Sequence, residues 1–419
     1  MSEAWDVIII GGGPGGSTCA TTLAKAGQKV LVIEKAKFPR FHVGESLLPY
    51  NRTVFDELGL WPKLESAGFM QKRGAQFWLG DSSRRVRVTF GQGMFTEFPE
   101  AFQVERARFD KILLDHAQET GAVVSEETLM LDYAIRPDGV TVKVRAKDGS
   151  EREEHGQFLV DASGLANMTG NREKLREYYK GHRKIAVFSH FSNVVMPTGE
   201  EHGDILIVRR ENSWVWFIPL DDEKTSVGLV LDLDEFRNLG KEPAEAFEHA
   251  VQTTPELKRR LEGATRLMDF HSVSDFSYTN KEFVSPRLVR VGDSAGFIDP
   301  IFSSGVFLAM QSGLKGGRVV HEALEKKAAL TPAMHAYEKE ARRSIRVYWE
   351  FIEKYYTHAF TQVFFQPAPK WELPSAVNAI LAGRTRLPWK AWWRLRMFFL
   401  IVWLQKRFTI VRPFSPSRY

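Results

Sequence analysis

One cysteine, Cys19, is all that the sequence contains, which removes an internal disulfide and any cysteine-based zinc cluster. Long hydrophobic runs are missing as well. The longest near the C-terminus, residues 397–404, holds eight apolar side chains and is too short to span a bilayer. Val7-Ile8-Ile9-Ile10, near the other end, is too short for the apolar core of a secretory signal and runs straight into glycines. The eleven histidines never fall at a metal-ligand spacing such as H-E-x-x-H, and neither a nucleophile elbow nor a Ser-His-Asp order is present, so no metal site is expected. Repeats and low-complexity linkers are absent. What remains is 419 residues, 43% hydrophobic and 26% charged: an ordinary globular chain, long enough for two or three domains and expected in the reducing cytoplasm.

An excess of positive charge is missing from the body and confined to the end. The net charge is +5, yet from residue 370 onward ten bases face one acid, so the rest of the chain is slightly acidic. Nucleic-acid binding needs a basic face with a reading motif, and the body offers neither.

Trp5-Asp6-Val7-Ile8-Ile9-Ile10 reads as a buried parallel strand. It enters Gly11-Gly12-Gly13-Pro14-Gly15-Gly16, then a helix beginning near Ser17 and stopped by Gly27, then a second strand over Lys29-Val30-Leu31-Val32-Ile33-Glu34. This βαβ unit satisfies G-x-G-x-x-G at Gly11, Gly13 and Gly16, and an acid, Glu34, closes it. Gly11 allows a tight turn, Gly13 lets the backbone approach a pyrophosphate, and Gly16 lets helix and strand pack closely. The helix N-terminus, from Pro14 (which has no N–H of its own) to Ser17, offers the free N–H groups of its first turn to phosphates, and Glu34, followed by Lys35, can accept from a ribose hydroxyl. A dinucleotide site is therefore expected, and no second glycine fingerprint occurs elsewhere.

Three later stretches choose FAD over a nicotinamide cofactor. They are Phe158-Leu159-Val160-Asp161-Ala162-Ser163-Gly164, the strand and glycine turn from Arg287 to Gly296 that contains Asp293, and the helix opening Gln103-Val104-Glu105-Arg106. In this order they resemble the glutathione-reductase-type flavoproteins with a single nucleotide fold. That group includes p-hydroxybenzoate-hydroxylase-like monooxygenases, geranylgeranyl-reductase-like enzymes and flavin-dependent halogenases. The resemblance implies an α/β fold. A Rossmann-like FAD-binding domain would comprise residues 1–80, 101–165 and 281–330, and an antiparallel-sheet substrate domain residues 166–280 with a contribution from 81–100. Residues 331–419 would form a helical C-terminal region. It also implies that Arg106 lies over FAD, that Asp293 meets its ribityl or pyrophosphate portion, and that Arg40, Ser46 and Gly305 complete the site.

Within that group the halogenases match best. Ser213-Trp214-Val215-Trp216-Phe217-Ile218-Pro219 contains W-x-W-x-I-P, whose plain structural alternative is an aromatic core strand. In the halogenases the residues at Trp214, Trp216 and Pro219 belong to the channel that keeps organic substrate off the flavin. The family has glycine where this chain has Ser213. Lys72, in Lys72-Arg73-Gly74-Ala75-Gln76-Phe77, falls on the family's K-x-G-A-x-F pattern and would be its catalytic lysine. An ammonium there could hydrogen-bond hypohalous acid, a neutral amine could form a haloamine, and burial in an apolar tunnel would lower its pKa. Phe302-Ser303-Ser304-Gly305 would bind halide through backbone N–H groups at a helix start. With Gly44-Glu45-Ser46-Leu47-Leu48-Pro49, the pattern is closest to the variant acting on phenols, pyrroles or carrier-tethered acyl groups.

The resemblance then implies FADH2 from a separate flavin reductase, dioxygen, a flavin C4a-hydroperoxide, halide as co-substrate, and hypohalous acid directed by Lys72 to an electron-rich aromatic, free or on an acyl carrier protein. A monooxygenase or geranylgeranyl-reductase-like oxidoreductase on the same fold is the alternative. For the basic, aromatic segment 388–408, packing against the core ranks first, carrier-protein docking second and membrane-surface contact third. His190 and His271 are read as core or pocket residues, and Cys19 as a small packed hydrophobe.

Overall fold

The computed structural model describes residues 4–367 and 370–414. The β-branched N-terminal run becomes the strand Trp5–Ile10, central in a sheet with the order Val284–Ser285, Leu288–Arg290, Glu151–Asp161, Trp5–Ile10, Val30–Ile33 and Val123–Ser125. Neighbours in this order pair in parallel except the outermost Val284–Ser285 with Leu288–Arg290, and the hairpin Thr128–Arg136 with Gly139–Ala146 joins Glu151–Asp161 antiparallel. Both faces of the central strand are covered, which is why it carries apolar residues without alternation. Val7 and Ile9 pack with Leu23, Val289 and Val320, while Ile8 and Ile10 pack under Met130, Tyr133 and Val142.

The helix Pro14–Lys25 crosses the long helix Gly305–Glu325 at a contact that only glycine permits. A Cβ on Gly313 would stand 2.3 Å from the Gly15 carbonyl oxygen. Cys19, in this layer, is fully buried, and burial pushes its thiol up to about 12, so it behaves as a packed hydrophobe.

The second sheet has the order Thr265–Arg266, Lys184–Ser192, Thr225–Asp232, Trp214–Pro219, Ile205–Arg209, Gly74–Leu79 and Arg85–Thr89. Period-2 alternation sorts its two faces. Trp214, Trp216 and Ile218 face the C-terminal helices with Tyr355, Phe360 and Phe398, whereas Val215 and Phe217 pack with Phe247, Ala250 and Leu257 on the other side. The expected strands are present, but the sheet is not purely antiparallel: Gly74–Leu79 runs parallel to Ile205–Arg209, with Ala75 opposite Ile205. Residues 74–79, assigned from the sequence to the nucleotide-binding part, thus belong to this sheet. Their partner strand lies more than a hundred residues away, and no local pattern announces such a pairing.

The C-terminal region is helical, over Pro332–Tyr355, His358–Phe364, Leu373–Leu381 and Trp389–Gln405. It closes the apolar face of the second sheet with a cluster dominated by phenylalanine, including Phe351, Phe360, Phe364, Phe398 and Phe399. No helix among the described residues is long and apolar enough to cross a membrane.

Candidate functional site

A cavity of about 570 Å³ opens between the two sheets, walled by Gly11, Gly13, Pro14, Glu34, Lys35, Arg40 and Ser46 on one side and by Trp214 and Trp216 on the other. The glycines do three different jobs. Gly11 has φ +103°, and a Cβ on it would lie 2.4 Å from the Ala162 oxygen. One on Gly16 would lie 1.9 Å from the Gly11 oxygen, so helix and turn touch there. A Cβ on Gly13 would meet nothing nearer than Arg40 Nη2 at 3.6 Å, which leaves that face of the loop free for a ligand. Gly13 caps Pro14–Lys25 without a side-chain hydrogen bond, so the first N–H groups of the helix are open to an anion, with Arg40 beside them.

Glu34 is held ready. Its Oε2 accepts from Gly12 N–H at 2.7 Å and its Oε1 from Ala36 N–H at 2.8 Å, which fixes the carboxylate and leaves lone pairs for hydroxyl donors. Ser17 does not reach the wall. Its hydroxyl donates to the Gly12 oxygen at 2.8 Å and braces the loop from behind, as Gly16 does by close packing.

Arg106 lines the cavity, but its guanidinium is spent on protein. It donates to Asp110 at 2.7 and 2.9 Å and to the Val43 oxygen at 2.7 Å, so it anchors the 43–46 segment instead of reaching across the space. Asp293, on the opposite wall, has its carboxyl pushed up to about 7 by burial, with Arg106 opposing the shift. Ser46 Oγ is buried without a hydrogen-bond partner among the described residues. An open helix N-terminus, a fixed acceptor, an unsatisfied hydroxyl and a cavity of this size are a donor and acceptor set that suits FAD.

At the far end the segment before Gly305–Glu325 turns sharply. Ser303 adopts φ +55°, and Ser304 caps the helix without a side-chain bond, so the N–H groups at this start are uncommitted as well. Ser303 and Gly305 line the cavity, whereas Ser304 is buried behind them.

Trp214 and Trp216 stand side by side with ring centroids 5.9 Å apart. Gly228 on the neighbouring strand makes the room, since a Cβ there would fall 2.1 Å from the Trp216 ring. Trp216 Nε1 donates to Ser226 Oγ at 3.2 Å and Trp214 Nε1 to Tyr356 Oη at 2.9 Å. Pro219 ends the strand and is not on the wall, because it is one residue out of phase with the two tryptophans.

Lys72 ends the short strand Met70–Lys72 and is not on the cavity wall either. The 44–48 segment lies between them: Ser46 faces the cavity, and the next carbonyl, that of Leu47, accepts from Lys72 Nζ at 2.8 Å. The lysine is 1% exposed, with Nζ 5.4 Å from the Phe90 ring centroid. Burial lowers its pKa from the ordinary 10.5 to about 7, a shift that Asp204 opposes. Asp204 is itself buried. Its Oδ2 accepts from Arg87 and Gln76, and its Oδ1 has no hydrogen-bond partner among the described residues. Arg73 points outward, half exposed, and takes no part.

Two networks escape motif reading. Glu45 Oε1 and His190 Nε2, 2.7 Å apart, form a buried pair at the cavity, and Phe41 packs edge-on against that imidazole. His182 Nε2 and Tyr356 Oη both reach Asp299 Oδ2 at 2.9 Å, so Tyr356 ties Trp214 to the loop that carries Ser303. Glu45 sits inside the Gly44-to-Pro49 stretch that the sequence did mark. His190 is 145 residues away with nothing local to pair them.

A model of the FAD binding domain matches residues 4–351. The chain is 35% identical over 393 residues to the 1H-pyrrole-2-carbonyl-(peptidyl-carrier protein) chlorinase of Pseudomonas fluorescens, covering 88% of this chain and 87% of that one. It is 34% identical over 368 residues to the corresponding brominase of Pseudoalteromonas luteoviolacea, covering 83% and 87%. Among solved structures, a flavin-dependent brominase superposes with a TM-score of 0.86 at 28% identity, over 97% of this chain and 100% of that one.

Proposed function

The chain belongs to the flavin-dependent halogenases and carries out FAD-dependent halogenation, and on that premise we propose that its chemistry is divided between two compartments with Lys72 as the catalytic residue of the second. When bound, the reduced flavin supplies the power to activate dioxygen and oxidise a halide. The chain's own residues do the rest. Gly11, Gly13 and the N-terminus of Pro14–Lys25, with Arg40, hold the phosphates, and Glu34 holds a ribose. The uncapped amides around Ser303, Ser304 and Gly305 hold the halide. Trp214 and Trp216 wall the cavity so that organic substrate stays away from it.

Lys72 Nζ receives the oxidised halogen, either by donating a hydrogen bond to hypohalous acid or, as the free amine, by exchanging a proton for the halogen with release of water. The observation that carries this reading is a lysine in a dry position, with one backbone carbonyl as partner and a pKa near 7, separated by a few residues from a flavin-sized cavity. Both protonation states are then accessible at neutral pH.

The substrate we propose is an electron-rich phenol or pyrrole, free or tethered to an acyl carrier protein, as the relatives' carrier-bound pyrrole suggests. A separate cytoplasmic flavin reductase would supply the reduced cofactor, because the chain shows one nucleotide fingerprint. The test is mass spectrometry of reactions containing FAD, reductase, NADH, dioxygen and bromide against free and carrier-tethered phenols and pyrroles. A bromine isotope doublet that vanishes in Lys72→Ala establishes the assignment. Products that gain oxygen or hydrogen return the chain to monooxygenase or reductase chemistry.

A further inference from the structure

The helix Trp389–Gln405 has two unlike faces. One, formed by Ala391, Leu395, Phe398, Phe399 and Val402, is buried against the core, as the sequence ranking expected. The other carries Trp389, Trp392, Arg396, Leu400 and Trp403, spaced three or four residues apart and therefore in one line along the helix, with Arg407 just past its end. Nothing among the described residues covers this line. Trp389 is 71% exposed, Trp392 40%, Leu400 43% and Trp403 47%, and the ridge continues into Phe408 at 61% and Ile410 at 49%. Large apolar side chains at such exposure mark an interaction surface when they are contiguous, and from Trp389 to Trp403 they run for about 21 Å at 1.5 Å per residue.

The charge carried by the chain past Glu372 has one sign. No aspartate or glutamate occurs after Glu372, while nine bases do. Arg396 is paired with Glu350 at 2.6 Å, but no carboxylate pairs with Lys390, Lys406 or Arg407 among the described residues. The exposed indoles alternate with these cations and touch them: Arg407 lies 4.7 Å from the Trp403 ring and Arg396 5.5 Å from the Trp392 ring. Indoles flanked by guanidinium and ammonium groups on a ridge suit the headgroup level of a bilayer, where the rings lie at the boundary and the cations meet phosphate.

We propose that this face docks the enzyme on an anionic lipid surface, the helix lying in the plane of the interface. The other anionic candidate, an acidic protein domain, would need a groove to receive a continuous row of protruding tryptophans, whereas a fluid interface deforms around it. The inference stands apart from the halogenation assignment, because no residue of the ridge belongs to the cofactor or lysine sites.

The experiment is co-sedimentation of the full-length, FAD-loaded protein with vesicles of phosphatidylglycerol and phosphatidylcholine in equal parts, against vesicles of phosphatidylcholine alone. Sedimentation with the anionic vesicles only, weakened by salt, is the expected result. Lys406→Glu with Arg407→Glu is expected to lower partitioning at least about tenfold, since each cation near a charged surface contributes appreciably. Trp389→Ser with Trp392→Ser and Trp403→Ser is expected to abolish it, while halogenation of a free substrate and FAD content stay unchanged. Equal binding to neutral and anionic vesicles, or full binding by either variant, overturns the proposal. So does absence of vesicle binding, whether light scattering then shows the ridge joining two copies of the chain or the face proves to hold an acidic protein.

Discussion

The flavin cavity and the lysine position sit on opposite sides of one short segment, residues 44–48, and are built on opposite principles. The cavity wall is rich in uncommitted donors: two helix starts without side-chain caps and the unpartnered Ser46 hydroxyl. The lysine side offers one amine, one carbonyl and an aromatic ring, and excludes water. A site that must hold a polyanion keeps its polar groups unsatisfied, whereas a site that must tune one amine withholds solvent from it. On the proposed mechanism, oxidising the halide and placing the halogen make different demands on dielectric and access, and residues 44–48 stand between the two positions.

That comparison breaks first at Lys72. Lys72→Ala is expected to lower halogenation by about 10²–10⁴-fold, the range for losing one positioned proton-transfer group, with FAD content unchanged by absorbance. Loss of FAD in this variant would mean that the two compartments are one. On the other side, Gly13→Val is expected to weaken FAD binding by roughly 100-fold, measured by equilibrium titration, while the melting temperature of the apoprotein stays near wild type. The protein leaves room for that side chain and the ligand does not. Gly16→Val serves as the contrast, because its Cβ collides with the Gly11 carbonyl and folding itself should suffer.

A smaller effect comes from pH. With the Lys72 amine at about 7, single-turnover halogenation should inflect near that pH, by up to about tenfold per pH unit. A rise with pH identifies the haloamine route and a fall the ammonium route, and no inflection refutes the lowered pKa. The unfolded chain, whose lysine titrates near 10.5, binds the extra proton between about 7 and 10.5, so stability contributed by this residue rises with pH across that window and is level below it. Lys72→Met should flatten the slope in denaturant titrations.

The smallest effect is expected at Tyr356→Phe. It strands the Trp214 indole N–H and removes one donor from Asp299, at a cost of about 1 kcal/mol by thermal denaturation. FAD affinity should not change. A loss of FAD would show that this network supports the cavity and not the partition.

How much of this could be read beforehand differs between the same two regions. The cavity was largely legible, because a glycine loop, a closing acid and a helix start act within about thirty residues. Chain-local sterics decide them whatever surrounds them. The errors there were of direction: Ser17 faces back into its own loop, and Pro219 falls out of phase with Trp214 and Trp216, while Arg106 lines the cavity as expected but is held by Asp110 and Val43. The lysine side was legible only by resemblance. Lys72 depends on three separate long-range pairings: Ala101–Gln103, beside Met70–Lys72, holds Leu47; Arg85–Thr89 on Gly74–Leu79 brings Phe90; and the parallel pairing of Gly74–Leu79 with Ile205–Arg209 brings Asp204.

The sequence by itself determined the βαβ unit, the dinucleotide loop and the alternation that turns both tryptophans to one face, since backbone sterics and side-chain period act over a few residues. Only the tertiary structure decided that Lys72 is dry, that Glu45 meets His190 and that Tyr356 ties Trp214 to Asp299. It also decided that one face of the last long helix remains open to its surroundings. Burial and long-range pairing are properties of the packed chain, and residues more than a hundred positions apart have no local term that could encode them.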